Sequence, residues 1–177
     1  MNDIHALRYT PVFKCDKPLI EAVLQIDYNE VIEKLMDKEL DLVLQLAHTM
    51  VGDSDLNISD WQSNDTGEIR IYTLKRKVTT PLFTKTLLTT EIQYTEKSID
   101  EFNFTTLSSN PDVPYGTAFE INTCLTLSHV ENGTHIALYG RVNWLKSCSF
   151  KSIVEMVSMK EICSTWTQVI SLFSGKK

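Results

Sequence analysis

The side chains that could carry chemistry in this 177-residue chain are scattered rather than grouped. Its four histidines, His5, His48, His129 and His135, show no H-E-x-x-H or other metal-ligand spacing. Its four cysteines, Cys15, Cys124, Cys148 and Cys163, form no C-x-x-C pair, which argues against a zinc ribbon or a thioredoxin-like site. No G-x-S-x-G elbow, G-x-G-x-x-G turn or P-loop occurs. His48 is read as a helix-surface residue. Cys148 stands near a helix start, where a thiolate is favoured, but a free cysteine is usually a small core residue. Asp112 and Glu120, the acids nearest a Pro-rich loop, read as a turn former and an exposed strand residue. Nothing converges on a reaction centre, so the chain is read as a non-enzyme without metal or cofactor.

Composition narrows the remaining classes. A net charge of −6 argues against nucleic acid, whose phosphates are held by Lys and Arg. One local basic run stands out, Lys75-Arg76-Lys77. The length suits a single domain over residues 1–177, with 1–17 as an extended N-terminal segment. The N-terminus lacks a charged stretch followed by an apolar run, so a secretory signal is not expected and the thiols are expected free, facing the cytosol. No stretch approaches the ~20 apolar residues of a membrane span. A membrane role would therefore need an anchor elsewhere, in a larger protein of which this is one monomeric domain.

The elements that would position any site follow from periodicity. Leu19–Ile26 reads as a first strand. Asp27 and Asn29 offer caps for a helix over Glu30–Met36. Leu40, Val43, Leu44 and Ala47 recur at helical spacing within a second helix over Asp37–Met50. Val51–Asn64 is polar and turn-rich, with Trp61 alone in it. Strands follow at Glu68–Lys77, at Thr86–Tyr94 and around Phe102 and Phe104. The cleanest hairpin turns at Asn132-Gly133, between alternating runs from Phe119 and to Trp144. Gly140 suits close approach by a helix or ligand.

From Ser147 to Phe173 there is neither Pro nor Gly, which predicts a long helix. Its apolar stripe is displaced roughly half a turn between Phe150–Val157 and Ile162–Phe173, at about 100° per residue. Either the helix kinks near 158–160 or its two ends pack against different partners. The whole is an α+β helix-grip plan: two short helices, a curved antiparallel sheet, and a long C-terminal helix closing a cavity.

The loop Asn110-Pro111-Asp112-Val113-Pro114-Tyr115-Gly116 entering a strand, and Trp144 followed by Lys151-Ser152-Ile153-Val154-Glu155, resemble the VASt domain. This is the StART-like lipid-binding module of the yeast Lam (Ltc) sterol transporters and the animal Aster proteins. Trp61 and the Tyr72-Thr73 strand add to the resemblance, which spans Ser59–Phe173. It implies a sterol such as ergosterol or cholesterol carried between membranes, in an ER-anchored protein at membrane contact sites such as those with the plasma membrane. The chain departs from the family where Pro81-Leu82-Phe83-Thr84-Lys85 replaces a Pro-x-Gly-Pro-Lys lid, and where Ser152 and either Val157 or Ser158 replace small glycines. These departures suggest a divergent fungal member.

On this reading the expected lipid-binding wall is Leu88, Ile92, Tyr94, Phe104, Phe119, Ile121, Leu138 and Val142, with Ile153 and Val157 from the long helix. Pro81, Leu82, Phe83 and Lys85 form the expected lid loop. Lys75, Arg76 and Lys77 are the expected membrane-contacting cations, for transient contact with anionic headgroups. The competing readings are a protein-interaction module whose pocket has collapsed and a small-molecule enzyme on the same fold. An open cavity separates the first of these from lipid carriage.

Overall fold

Alternating apolar residues build one antiparallel sheet whose faces differ in what covers them. The computed structural model describes residues 12–15, 17–63, 67–79, 84–112 and 115–174. The chain runs β1 (Ile20–Leu24), α1 (Tyr28–Met36), α2 (Lys38–Val51), β2 (Ser54–Ile58), β3 (Gln62–Ser63), β4 (Glu68–Thr79), β5 (Thr84–Lys97), β6 (Glu101–Ser109), β7 (Phe119–Val130), β8 (Gly133–Trp144) and α3 (Lys151–Phe173). The curved sheet has eight strands in the order β1-β8-β7-β6-β5-β4-β2, with β3 also paired to β4. From β4 to β8 it is a meander, as short connections between sequential strands require. This is the helix-grip, StART-like α+β architecture.

Register decides which residues face the helices. The rows Arg70–Gln93–Thr106–Thr123–Gly140 and Tyr72–Glu91–Ser108–Ile121–Val142 cross β4 to β8 on the inner face. Tyr72, Leu74, Phe104, Leu125 and Leu138 of this face are buried in one core with Leu44 and Ala47 of α2 and Ile162, Trp166 and Val169 of α3. The opposite parity, including Ile69, Leu88, Ile92 and Tyr94, forms the outer face.

The first two helices start on aspartate caps. Asp27 accepts from the amides of Asn29 and Glu30, and Asp37 from that of Lys38, filling donors that a helix leaves open. Gly52 closes α2 in the left-handed conformation, at φ 91°. The segment after it, expected to be loop, instead adds β2 and β3 at the β4 edge. Its Asp and Asn residues disfavour strands, and pairing with the long β4 overrides that preference. Trp61 is not isolated. It stands edge-on to Phe104 at 6.1 Å, and the Arg70 guanidinium lies 4.2 Å over its ring.

The long helix is continuous over Lys151–Phe173. Ile162, Trp166, Val169 and Phe173 enter the shared core, whereas Ile153, Val154 and Val157 remain half-buried. The two ends pack against different things. Gly140 lets the helix approach β8: a Cβ there would sit 3.1 Å from Met159 Sδ and 3.2 Å from Ile162 Cδ1.

The β7–β8 hairpin forms, but its turn residues are Glu131 and Asn132, because Val130 pairs with Gly133. The positive φ falls on Gly133, at 145°, where a Cβ would lie 1.9 Å from the carbonyl oxygen of Leu24 on β1. Gly133→Ala is therefore expected to cost about 2 kcal/mol through backbone strain and the lost approach of β1. That corresponds to a Tm lower by roughly 4–8 °C for a domain of this size. A melt that overlays the parent protein's would show that the hairpin tolerates a side chain here.

Candidate functional site

The displaced stripe of α3 leaves space between its first turns and the sheet. A cavity of about 360 Å³ lies there, within the range of small-molecule sites. Phe119 and Ile121 of β7 form one apolar wall, Ile153, Val154 and Val157 of α3 the other, and Leu44 and Trp166 contribute deeper in. At the mouth, the rings of Tyr115 and Phe150 pack with centroids 5.4 Å apart. Among the described residues no side chain fills the hollow.

Polar lining gathers where β4, β5 and β6 meet α2. Arg70 Nη1 donates to Asp41 Oδ1 of α2 and its Nε to Gln93 Oε1, both at 2.7 Å. A guanidinium can only donate, so it orients the Gln93 amide. The Gln93 Nε2 then donates to Glu91 Oε1 at 2.9 Å, and Ser108 Oγ donates to Glu91 Oε2 at 2.7 Å. The Glu91 carboxylate borders the cavity with acceptor capacity remaining. Burial lowers the Arg70 pKa, and the Asp41 carboxylate acts against that shift.

A second cluster stands beside the first. Asp53 Oδ2 accepts from His48 Nδ1 at 2.7 Å and from Arg76 Nε at 3.2 Å. Burial pushes the Asp53 carboxyl up, but the hydrogen bond from His48 and the charge of Arg76 outweigh it and hold the pKa below the usual value. His48 is thus not a surface residue. It is 3% exposed, with its ring 5.4 Å from that of Tyr72, and it closes the C-terminal end of α2 onto the sheet. Among the described residues no His, Cys, Asp or Glu group could hold a metal, and no helix is long and apolar enough to cross a membrane.

Residues 18–161 match the family model of the VASt domain, the VAD1 Analog of StAR-related lipid transfer domain. This chain belongs to the VASt family. No curated protein matches it. Among solved structures it is similar to protein CV1439 from Chromobacterium violaceum, with TM-score 0.51 and 10% identity over 88% of this chain and 92% of that one. Protein Ms6760 from Mycobacterium smegmatis gives TM-score 0.50 and 14% identity over 94% of this chain and 100% of that one. At such identities these likenesses concern the fold alone. Membership of the family makes the chain a StART-like lipid-binding domain.

Within this VASt domain the expected wall residues separate into three groups. Phe119, Ile121, Ile153 and Val157 line the cavity together. Phe104 and Leu138 face inward but are consumed by the core, Phe104 between the rings of Trp61 and Trp166, while Val142 is half-buried beside Ile121 and does not reach the cavity. Leu88, Ile92 and Tyr94 require correction, because the register turns them to the outer face, where Leu88 is 55% exposed. The cavity side of β5 carries Glu91 and Gln93 instead.

The membrane-contacting set changes as well. Arg76 is directed to the cavity and Asp53 rather than to solvent, and Lys75 pairs with Asp55 at 2.7 Å, while Lys77 is exposed. Of the lid loop, Pro81, Leu82 and Phe83 lie outside the described residues; Lys85 is exposed and donates to the Asp112 carbonyl at 3.4 Å. The Trp144 and Glu155 of the family-like motif meet, with Trp144 Nε1 donating to Glu155 Oε1 at 2.9 Å and Lys151 Nζ lying 5.1 Å from the Trp144 ring. That contact fixes the start of α3 to the end of β8.

Proposed function

We propose that this domain binds a sterol in the cavity and transfers it between membranes at endoplasmic reticulum contact sites, as a cytosol-facing part of a larger anchored protein. The observation that carries this reading is the distribution of polarity. Phe119 and Ile121 of β7 with Ile153, Val154 and Val157 of α3 make an apolar wall, while Arg76, Glu91, Gln93 and Ser108 of the sheet and Ser158, Glu161 and Thr165 farther along α3 supply polar lining, Glu91 being held by Gln93 and Ser108. A sterol is a rigid apolar plate with one hydroxyl. Its plate suits the wall and its hydroxyl can donate to the Glu91 carboxylate, whose position is set by Gln93 and Ser108. Burying roughly 300 Å² of the plate contributes about 7.5 kcal/mol at 25 cal/mol per Å², before the costs of association.

The contact-site location and the sterol itself rest on the resemblance to the Lam and Aster proteins. Native mass spectrometry of the protein purified from a sterol-producing host is expected to show one sterol per chain. A protein that returns phospholipid, or that stays empty when offered sterol, would count against this ligand.

A further inference from the structure

The cavity is charged as well as apolar, and its charge is one-sided. Among the described residues the charged side chains on its lining are Arg76, Glu91 and Glu161. Arg76 Nε donates to Asp53 Oδ2 at 3.2 Å, so this cation is matched by a carboxylate of its own. Glu91 is held by Gln93 Nε2 and Ser108 Oγ. Both donors are neutral, so they orient the carboxylate and leave its charge in place. Arg70 stands behind Gln93 and meets Asp41 Oδ1 at 2.7 Å, which matches that guanidinium too. Glu161 makes no ion pair among the described residues. Glu91 and Glu161 therefore face the hollow with no cation set against them.

The α3 side adds a second feature. Ser158 and Thr165, about one turn before and one turn after Glu161, also line the cavity and are 7% and 8% exposed. Neither hydroxyl is hydrogen-bonded to a described residue. A polar group this buried and left unpaired costs free energy that a bound partner recovers. The carboxylates can only accept, and the hydroxyl oxygens can accept as well. The group that meets such a set is a donor, and one with a positive charge also answers the carboxylates. An ammonium has three N–H donors and no acceptor, whereas an alcohol brings one donor and no charge.

We propose that the cavity selects a cationic amphiphile, an apolar body ending in an amine, with Glu91 as its counterion and Glu161 as a second carboxylate on the α3 side. The proposal rests on the lipid-binding reading and names the head group that the polar lining favours. Cholesterol and its analogue with an amine in place of the hydroxyl share one plate and differ at a single polar group. Sphingosine carries an amine on a flexible chain instead. Isothermal titration with each of the three, delivered from cyclodextrin, tests the proposal.

The amine analogue is expected to bind about tenfold more tightly than cholesterol, the modest net that an ion pair leaves once the ammonium has been taken from water. Glu91→Gln keeps the shape and removes the charge, so the ratio of the two affinities should fall to near one. Glu161→Gln should narrow it. The parent ratio is decisive even if a variant melts early. Equal affinity for amine and alcohol overturns the proposal and leaves the sterol reading standing. A preference that survives Glu91→Gln overturns the counterion assignment. Uptake of the two amines without cholesterol supports the proposal and refutes the hydroxylated sterol as ligand. Binding of none of the three ends both readings.

Discussion

Ile121→Trp combined with Val157→Trp weakens lipid binding about a hundredfold while leaving the domain folded: this is the outcome expected of the cavity. The two residues stand on opposite walls, one on β7 and one on α3, and both border the hollow. Enlarging a side chain in a filled core forces strain of about 1–3 kcal/mol. Here the added rings enter a cavity of about 360 Å³ and displace the ligand instead of the protein. Denying the ligand as little as ~110 Å² of apolar burial forfeits about 2.8 kcal/mol at 25 cal/mol per Å². That is about a hundredfold in Kd. Titration with a fluorescent sterol or lipid should show this loss, with a Tm within a few degrees of the parent. Affinity preserved within a factor of about three would move the ligand out of this cavity, since a hundredfold loss is what the area requires.

Whether such a wall can be read in a sequence depends on what each strand's two faces meet. On β7 it could be: Phe119 and Ile121 alternate with more polar residues, and their face is the cavity's. On β5 the same rule points the wrong way. Leu88, Ile92 and Tyr94 are the apolar parity, but β5 sits where the cavity has its polar end, so Glu91 and Gln93 occupy the inner face. The outer face is no simple polar surface either, because Ile69, Tyr94 and Leu107 are buried on it. Hydrophobic periodicity gives the parity of a strand but not which parity is inward when both faces are partly covered.

The helices carried clearer signals because their caps are local. Asp27 and Gly52 mark their positions through contacts within a few residues. The rotation of the stripe along α3 is visible too, and it accompanies a change of partner from cavity to core. The Gly52 turn brings Asp53 back to His48, with Asp53 N donating to the His48 carbonyl at 2.8 Å, whereas Arg76 reaches Asp53 only through the pairing of β2 with β4. No spacing in the sequence adds Arg76 to that local pair.

The polar end of the cavity also holds α2 in place, and that leads to the second large effect. Asp41→Ala strips the carboxylate from Arg70, which is 2% exposed and lies between the Trp61 ring and Gln93. Breaking a buried ion pair from one side costs 3–5 kcal/mol, because an uncompensated charge stays behind. The Asp41 side chain retains 35% exposure, so solvent already screens the pair and about 3 kcal/mol is expected. The Tm should fall by roughly 6–12 °C.

If the cost is the stranded charge, adding Arg70→Met should recover most of it, since apolar replacement of a whole buried pair is often neutral. Chemical denaturation of the single and double variants measures both steps. Absence of recovery would assign the loss to the α2 contact itself. The recovered variant separates stability from function. Without the guanidinium, Gln93 is no longer oriented toward Glu91, and the carboxylate proposed to accept a sterol hydroxyl loses its anchor. The doubly substituted protein is therefore expected to be stable and to bind sterol more weakly, because Arg70 sets the direction of the hydrogen bonds that end at the cavity.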